Sequence, residues 1–280
     1  MSRVIYTPRE PKYRKQRRII LTKKTALMAC TVLLAVCLVA GIIYALRQPY
    51  FRIKRIEFSG LMVLKQEELE KHVKEKLAGY YSVIFPRDSY FFTDIEDIST
   101  YLKEKFPRVV EIKISKKLPD KLRIEIVERK FFSLLCGSDF INASSTPNCF
   151  FIDQTGFVYE KAPIATGSLI LKIFTNNKNI ATKGKMIDAE TMKQVRSATE
   201  NFSFLLGSSL VAFQINSDTP KELKAVTSGG YRLYLNREDD FKQTFTSLKV
   251  LLEKEIGDKI PRLDYVDLRF GNKIFYKFRN

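Results

Sequence analysis

The chain has 280 residues, with 48 Lys and Arg against 31 Asp and Glu, a net charge of +17. Its 45% hydrophobic and 12% aromatic content excludes a disordered protein. One His and four Cys exclude a His-rich metal site and a dense disulfide framework. The charge points first to nucleic acid, and its placement removes that reading. Residues 1–24 hold nine basic side chains against Glu10, so +8 of the +17 lies in 24 residues and +9 remains for the other 256. With Pro8, Pro11 and no hydrophobic period, this segment reads as a basic tail.

Residues 25–46 follow without a single charge. As a helix these 22 residues span about 33 Å, the thickness of a bilayer core. Tyr44 and Tyr50 flank the far end, where interfacial aromatics are common. A buried core helix and a cleaved signal peptide are the rival readings. The lack of charge over 22 residues next to a basic block disfavours a core helix, and the long apolar run, which continues past the passable cleavage context Val39-Ala40-Gly41, disfavours a cleaved signal. By the positive-inside rule residues 1–24 are a cytoplasmic tail and residues 47–280 lie outside.

Residues 50–130 read as one unit. Phe51 to Gly60 has the look of a strand and turn. Leu69, Val73 and Leu77 mark one helix face. Thr93 to Glu96 resembles a capping box and opens a second helix bearing Ile98, Tyr101, Leu102 and Phe106, stopped by Pro107. Val110, Ile112 and Ile114 alternate along a strand, and after a turn at Lys116 to Pro119, Leu122, Ile124 and Ile126 alternate again. The order is β-α-α-β-β.

These elements carry a resemblance. Ile56, Phe58, Gly60, Phe106, Pro107, Val109, Pro119, Leu122, Ile124, Ile126, Glu128 and Arg129, directly after an anchor, resemble the FtsQ-type POTRA domain of the bacterial FtsQ/DivIB cell division family. The second half fits the same family. Phe150 to Tyr159, with Asp153 and Gly156, resembles the segment that follows this domain, and Tyr265-Val266-Asp267-Leu268-Arg269-Phe270 resembles the family's terminal strand. Between them, Asp188 caps a helix with Met192, Val195, Phe202 and Leu206; strands follow at 210–215, 223–226 and 231–235; and Phe241, Phe245, Leu248, Leu252 and Ile256 mark a further helix. The insert-like Gly137 to Asn148 departs from the family pattern. The expected fold is α+β: a single transmembrane helix, a POTRA domain over 50–130, and a β-rich C-terminal domain over 131–280.

Signs of chemistry are missing. His72 lies on the first helix among lysines, no nucleophile elbow or phosphate-cradling loop occurs, and the acid clusters fall at helix starts, where they cap free N–H groups. The expectation is therefore no enzyme, catalytic residue, metal, cofactor, small-molecule substrate or nucleic acid. Cys30 and Cys37 are apolar filler in the anchor, whereas Cys136 and Cys149 are exported and would bridge a hairpin in an oxidising exterior, which by chain entropy contributes ~3 kcal/mol.

The resemblance implies a non-catalytic divisome scaffold, in the bacterial inner (cell) membrane at the septum, that links early and late division proteins. It implies binding of FtsB-like and FtsL-like bitopic partners through the terminal region, carried over to Asp267, Arg269, Phe270, Ile274, Tyr276 and Phe278. It also implies recruitment to the septum, among other divisome components, through the POTRA unit. There the edge bearing Ile112, Ile114, Lys116 and Lys117 is the expected surface. The rival classes are a membrane-anchored exported enzyme and a POTRA-type assembly chaperone. The first wants a metal or nucleophile constellation, and the second wants repeated POTRA units or a following barrel.

Overall fold

The computed structural model describes residues 2–3, 23–81, 85–137, 148–163, 169–177, 179–216 and 218–279. Most of the basic tail and of the Gly137–Asn148 insert therefore lies outside the described residues. The chain divides into two compact units, one of residues 1–55, 77–93 and 117–121 and one of residues 56–76, 94–116 and 122–280.

In the first unit, helix α1 (Lys23–Leu46) runs the length of the apolar stretch. Among the described residues it is the one helix long and apolar enough to cross a membrane, and none of its apolar window is buried in protein. A 3-10 turn at Pro49–Phe51 follows it. The unit also holds a small hairpin of β2 (Tyr80–Tyr81) and β3 (Phe85–Pro86), which no periodicity announces.

The second unit contains a three-stranded sheet in the order β1-β5-β4, from β1 (Arg55–Ser59), β4 (Val109–Lys117) and β5 (Lys121–Glu128). Helices α2 (Gln66–Leu77) and α3 (Ile95–Lys105) complete the β-α-α-β-β order. Asp94 caps α3 by accepting from the N–H groups of Glu96 and Asp97, which satisfies donors that the first turn leaves free. Leu69, Val73, Ile98, Leu102, Leu122, Ile124 and Ile126 are buried, as their spacing requires.

Ten strands form the other sheet: β6 (Ser133–Gly137), β7 (Cys149–Ile152), β8 (Phe157–Lys161), β9 (Lys172–Thr175), β10 (Gly184–Lys185), β11 (Leu210–Ile215), β12 (Glu222–Thr227), β13 (Arg232–Asn236), β14 (Leu263–Phe270) and β15 (Lys273–Phe278). Their order is β10-β8-β7-β6-β9-β11-β12-β13-β14-β15. Helices α4 (Ala189–Leu206) and α5 (Phe241–Leu251) cover one face. Met192, Val195 and Phe202 of α4 and Phe245 and Leu248 of α5 join Ile152, Phe213, Leu233 and Val266 in one core, and the Phe202 and Phe245 rings meet edge-on at 5.3 Å. The apolar period that predicts a single helix to Ile256 continues instead as a π-turn over Leu252–Ile256, which keeps both Leu252 and Ile256 buried.

Gly156 shows why the turn after Asp153 needs glycine. Its φ is +85°, and a Cβ there would stand 2.0 Å from the Ile187 carbonyl oxygen. Gly60 has the same constraint against the Ile126 carbonyl oxygen at 2.2 Å. Cys136 and Cys149 face each other across β6 and β7 and are joined by a disulfide, with Cα atoms 4.2 Å apart.

Candidate functional site: the free edge of the C-terminal sheet

Strand β15 is the last in the ten-stranded order, so among the described residues one side of it has no partner strand. Gly271 and Asn272 connect it to β14, and Gly271 at φ +63° supplies the left-handed residue that a two-residue hairpin needs. Two register shifts interrupt this pairing, and in both the extra residue lies on β14, so β15 alternates regularly. The Arg279 N–H donates inward to the Arg262 carbonyl at 2.7 Å. Counting back in twos turns the N–H groups of Lys273, Phe275 and Lys277 toward β14 and those of Ile274, Tyr276 and Phe278 outward. An outward row of this kind is what a further strand would pair with.

The side chains on this edge divide by face. Ile274 and Phe278 pack on the core beside the α4 and α5 helices. Phe275 lies on the opposite face, at 53% exposure, and meets Phe270, at 54% exposure, edge-on at 5.5 Å. Alternation alone puts Phe270 with the buried Val266 and Leu268; the bulge between Asp267 and Phe270 releases it to the surface instead.

Beneath these rings lies a fixed ionic fork. Asp267 is buried and accepts from Arg269 twice, Nε to Oδ1 at 2.9 Å and Nη2 to Oδ2 at 2.6 Å. Arg269 also donates to Glu222 of β12, two strands away, while its guanidinium passes over the Tyr234 ring of the intervening β13 at 5.3 Å. Hydrogen bonding to Asp267, outweighing partial burial, joins the charges of Asp267 and Glu222 to push the guanidinium above its ordinary range. Arg269 is thus permanently charged and locked in place. Asp267 and Arg269 shape the surface from within, and Phe270 and Phe275 present it.

The second expected surface is also an edge, since β4 ends the three-stranded order. Ile112 is buried and Ile114 half-buried, so neither offers a free side chain. Lys116 is half-buried, and burial, opposed by the charge of Asp94, lowers its pKa. Lys117 is exposed.

Motif residues and two charges without a sequence signal brace the three-stranded sheet and connect it to the ten-stranded one inside the second unit. Glu128 accepts from the N–H groups of Met62, Val63 and Leu64. Its neighbour Arg129 donates to the Pro107 carbonyl at 2.9 Å and to Asp153 at 2.7 Å, and lies 3.8 Å from the Phe157 ring centroid. Arg108 forks onto Glu160 at 3.0 and 2.5 Å and lies over Tyr159. Burial pushes the Asp153 carboxyl up, but hydrogen bonds from Thr155, Arg129 and the Phe157 N–H outweigh it and hold the group below its ordinary value. Arg108 and Glu160 gave no sequence signal, because each is an ordinary charge until the fold brings them together. Among the described residues no group of three or more His, Cys, Asp or Glu is placed to hold a metal ion. His72 bonds Glu75 and Tyr101 on the helices α2 and α3.

Comparison with known proteins agrees with this architecture. The family model described as the FtsQ-type POTRA domain matches residues 51–129. The chain is similar to the cell division protein DivIB of Clostridium botulinum (strain Hall / ATCC 3502 / NCTC 13319 / Type A), 25% identical over 269 residues that cover 94% of this chain and 93% of that protein. It is similar to the DivIB of Clostridium botulinum (strain Loch Maree / Type A3) at 24% over 269 residues, with the same coverage. The POTRA elements stand in order, the motif residues Gly60, Glu128, Arg129, Asp153, Gly156, Asp267 and Arg269 are all in structural use, and residues 51–129 form an FtsQ-type POTRA domain in a chain similar along nearly its whole length to DivIB cell division proteins.

Proposed function

We propose that this protein is a non-catalytic scaffold of the divisome, anchored by α1, with residues 1–24 in the cytoplasm and residues 50–130 and 131–280 as two extracytoplasmic domains at the septum. In this reading β15 accepts a strand from a small bitopic partner of the FtsB or FtsL kind. Phe270, Phe275 and Tyr276 line the added strand, and Asp267 and Arg269 hold the edge rigid. The observation that carries the reading is the free side of β15, a row of outward N–H groups beside two half-exposed phenylalanines at the end of a long sheet. The POTRA unit serves recruitment through β4, by the charge of its exposed side chains such as Lys117 rather than by strand addition or by the buried Ile112.

The experiment is twofold. A fluorescent fusion at native expression should form a midcell band, and uniform membrane signal would reject the septal address. Membrane extracts of cells carrying tagged Ile274→Pro should lose the bitopic partner that the parent chain co-purifies. Equal yields from both chains would reject β15 as the binding edge.

A further inference from the structure

The first unit gathers chain that is distant in sequence around the exit of α1. Phe51 lies five residues beyond Leu46, so it stands within ~18 Å of the helix end even if fully extended. The hairpin segment is tied to that stretch. The Tyr90 N–H donates to the Phe51 carbonyl at 2.8 Å, the Ile53 N–H donates to the Asp88 carbonyl at 2.7 Å, and Arg52 bridges Ser89. The Phe51 and Phe91 rings meet edge-on at 5.2 Å. The β4–β5 turn is tied there too, by the Lys54 N–H to the Asp120 carbonyl at 2.9 Å and by Arg55 to the Asp120 carboxylate at 2.5 Å.

The composition of this end differs from the rest. Residues 47–55, 77–93 and 117–121 total 31 and include eight Phe or Tyr, about a quarter, against 12% for the whole chain. The same 31 residues hold seven basic and two acidic side chains, a net +5, which is more than half of the +9 carried by everything after the tail. Both acids are already paired, Asp88 with Arg52 and Asp120 with Arg55. Tyr50, Tyr80, Phe91 and Leu118 are exposed. Exposed aromatics among excess cations are the mixture that favours the boundary between headgroups and acyl chains.

We propose that this part of the first unit is a lipid-binding foot: Tyr50, Tyr80, Phe91 and Leu118 enter the headgroup layer beside α1, and Arg87 and Lys117 meet anionic lipid phosphates. The proposal rests on α1 spanning the bilayer. The membrane is the occupant because the patch is continuous with the anchor and tethered within reach of its end. The foot fixes the tilt of the anchor, so that the first unit stands on the bilayer rather than swinging from a hinge.

The chain contains no Trp, so single substitutions report without background. The full chain is reconstituted in phosphatidylcholine vesicles, with or without phosphatidylglycerol, containing lipids brominated just below the headgroups. Tyr44→Trp reports the anchor, Phe91→Trp and Tyr80→Trp report the foot, and Phe204→Trp, at a position 83% exposed on α4, is the soluble reference. Expected is roughly a twofold loss of emission for Phe91→Trp and Tyr80→Trp, as for side chains ~5–10 Å into the boundary, and no loss for Phe204→Trp. Adding Arg87→Gln and Lys117→Gln should reduce the Phe91→Trp loss in phosphatidylglycerol vesicles only. Quenching at Tyr44→Trp with none at Phe91→Trp or Tyr80→Trp would overturn the foot and leave the anchor standing, a protein partner then being the alternative occupant. No quenching at Tyr44→Trp would overturn the anchor and the foot with it.

Discussion

The two sheets each end in an open strand, and the two strands are built differently. β4 alternates buried or half-buried Ile112, Ile114 and Lys116 with exposed Glu111, Lys113, Ser115 and Lys117. Charges of this kind, lysines above all, are how an open edge resists unwanted pairing. β15 also has Lys273 and Lys277, but between them Phe275 is half exposed and joined to Phe270. At the opposite end of the ten-stranded sheet the edge strand β10 is only two residues long. Of these two edges, one carries charge along its exposed side and the other aromatic surface over an ionic base. An edge is therefore not a site by itself; what its exposed side chains do to a visiting strand decides whether pairing is discouraged or rewarded.

That contrast can be broken most severely at Ile274. Its N–H faces away from β14, so Ile274→Pro removes no internal ladder bond yet denies one to an incoming strand. Partner affinity should fall by about thirtyfold or more, since a lost bond and the unpaired carbonyl left behind together cost ~2–4 kcal/mol, while the melting temperature of the free chain stays near that of the parent. Next in size is Asp267→Asn. Arg269 then keeps its charge without its main partner, and the free chain should lose ~1–3 kcal/mol in denaturant unfolding, with weaker partner binding as a consequence. Phe275→Lys, which gives β15 the character of β4, should weaken the partner about fivefold in titration through loss of one aromatic contact worth ~1 kcal/mol. The reverse exchange on β4, Lys113→Val with Lys117→Val, should leave partner affinity unchanged and promote self-association visible by sedimentation.

The smallest effect concerns the connection between the sheets. The Asp153 carboxyl sits below its ordinary value of 3.8, so its stabilisation is fully present above that pH and is lost as pH falls through the lowered folded value. Acid unfolding of the Arg129→Gln chain should begin at higher pH than that of the parent.

Much of this was legible from residue order. The helices α2, α3, α4 and α5 follow from apolar spacing and from caps at Asp94, Asp188 and Asp240, and the alternation from Ile112 to Ile126 gives β4 and β5, although at the start of β4 Val109 is buried and Val110 exposed. The apolar helix α1 also follows, since it is local, whereas residue order leaves open whether the chain turns at Gly271 and Asn272. What could not be read is non-local. β9 lies between β6 and β11, parallel to both, and β13 runs parallel to β14, so the order of the sheet depends on crossovers that no local pattern encodes. The fork from Arg269 to Glu222 exists only because β12, β13 and β14 are neighbours in that order. Strict alternation would keep Phe270 on the face of Val266 and Leu268, and a single bulge takes it to the surface. Arg108 stands between Pro107 and Val109 at a position that carries none of the resemblance, and its partner Glu160 is 52 residues away.

The claim that β15 is the partner's edge is tested most directly by hydrogen exchange, amide by amide, on the chain purified alone and on the chain purified with its bitopic partner. The account predicts that Ile274, Tyr276 and Phe278 exchange fast alone and slowly in the complex, that Phe275 and Lys277 are slow in both, and that β4 does not change. Equal exchange at Ile274, Tyr276 and Phe278 in the two samples, with new protection elsewhere, would contradict it.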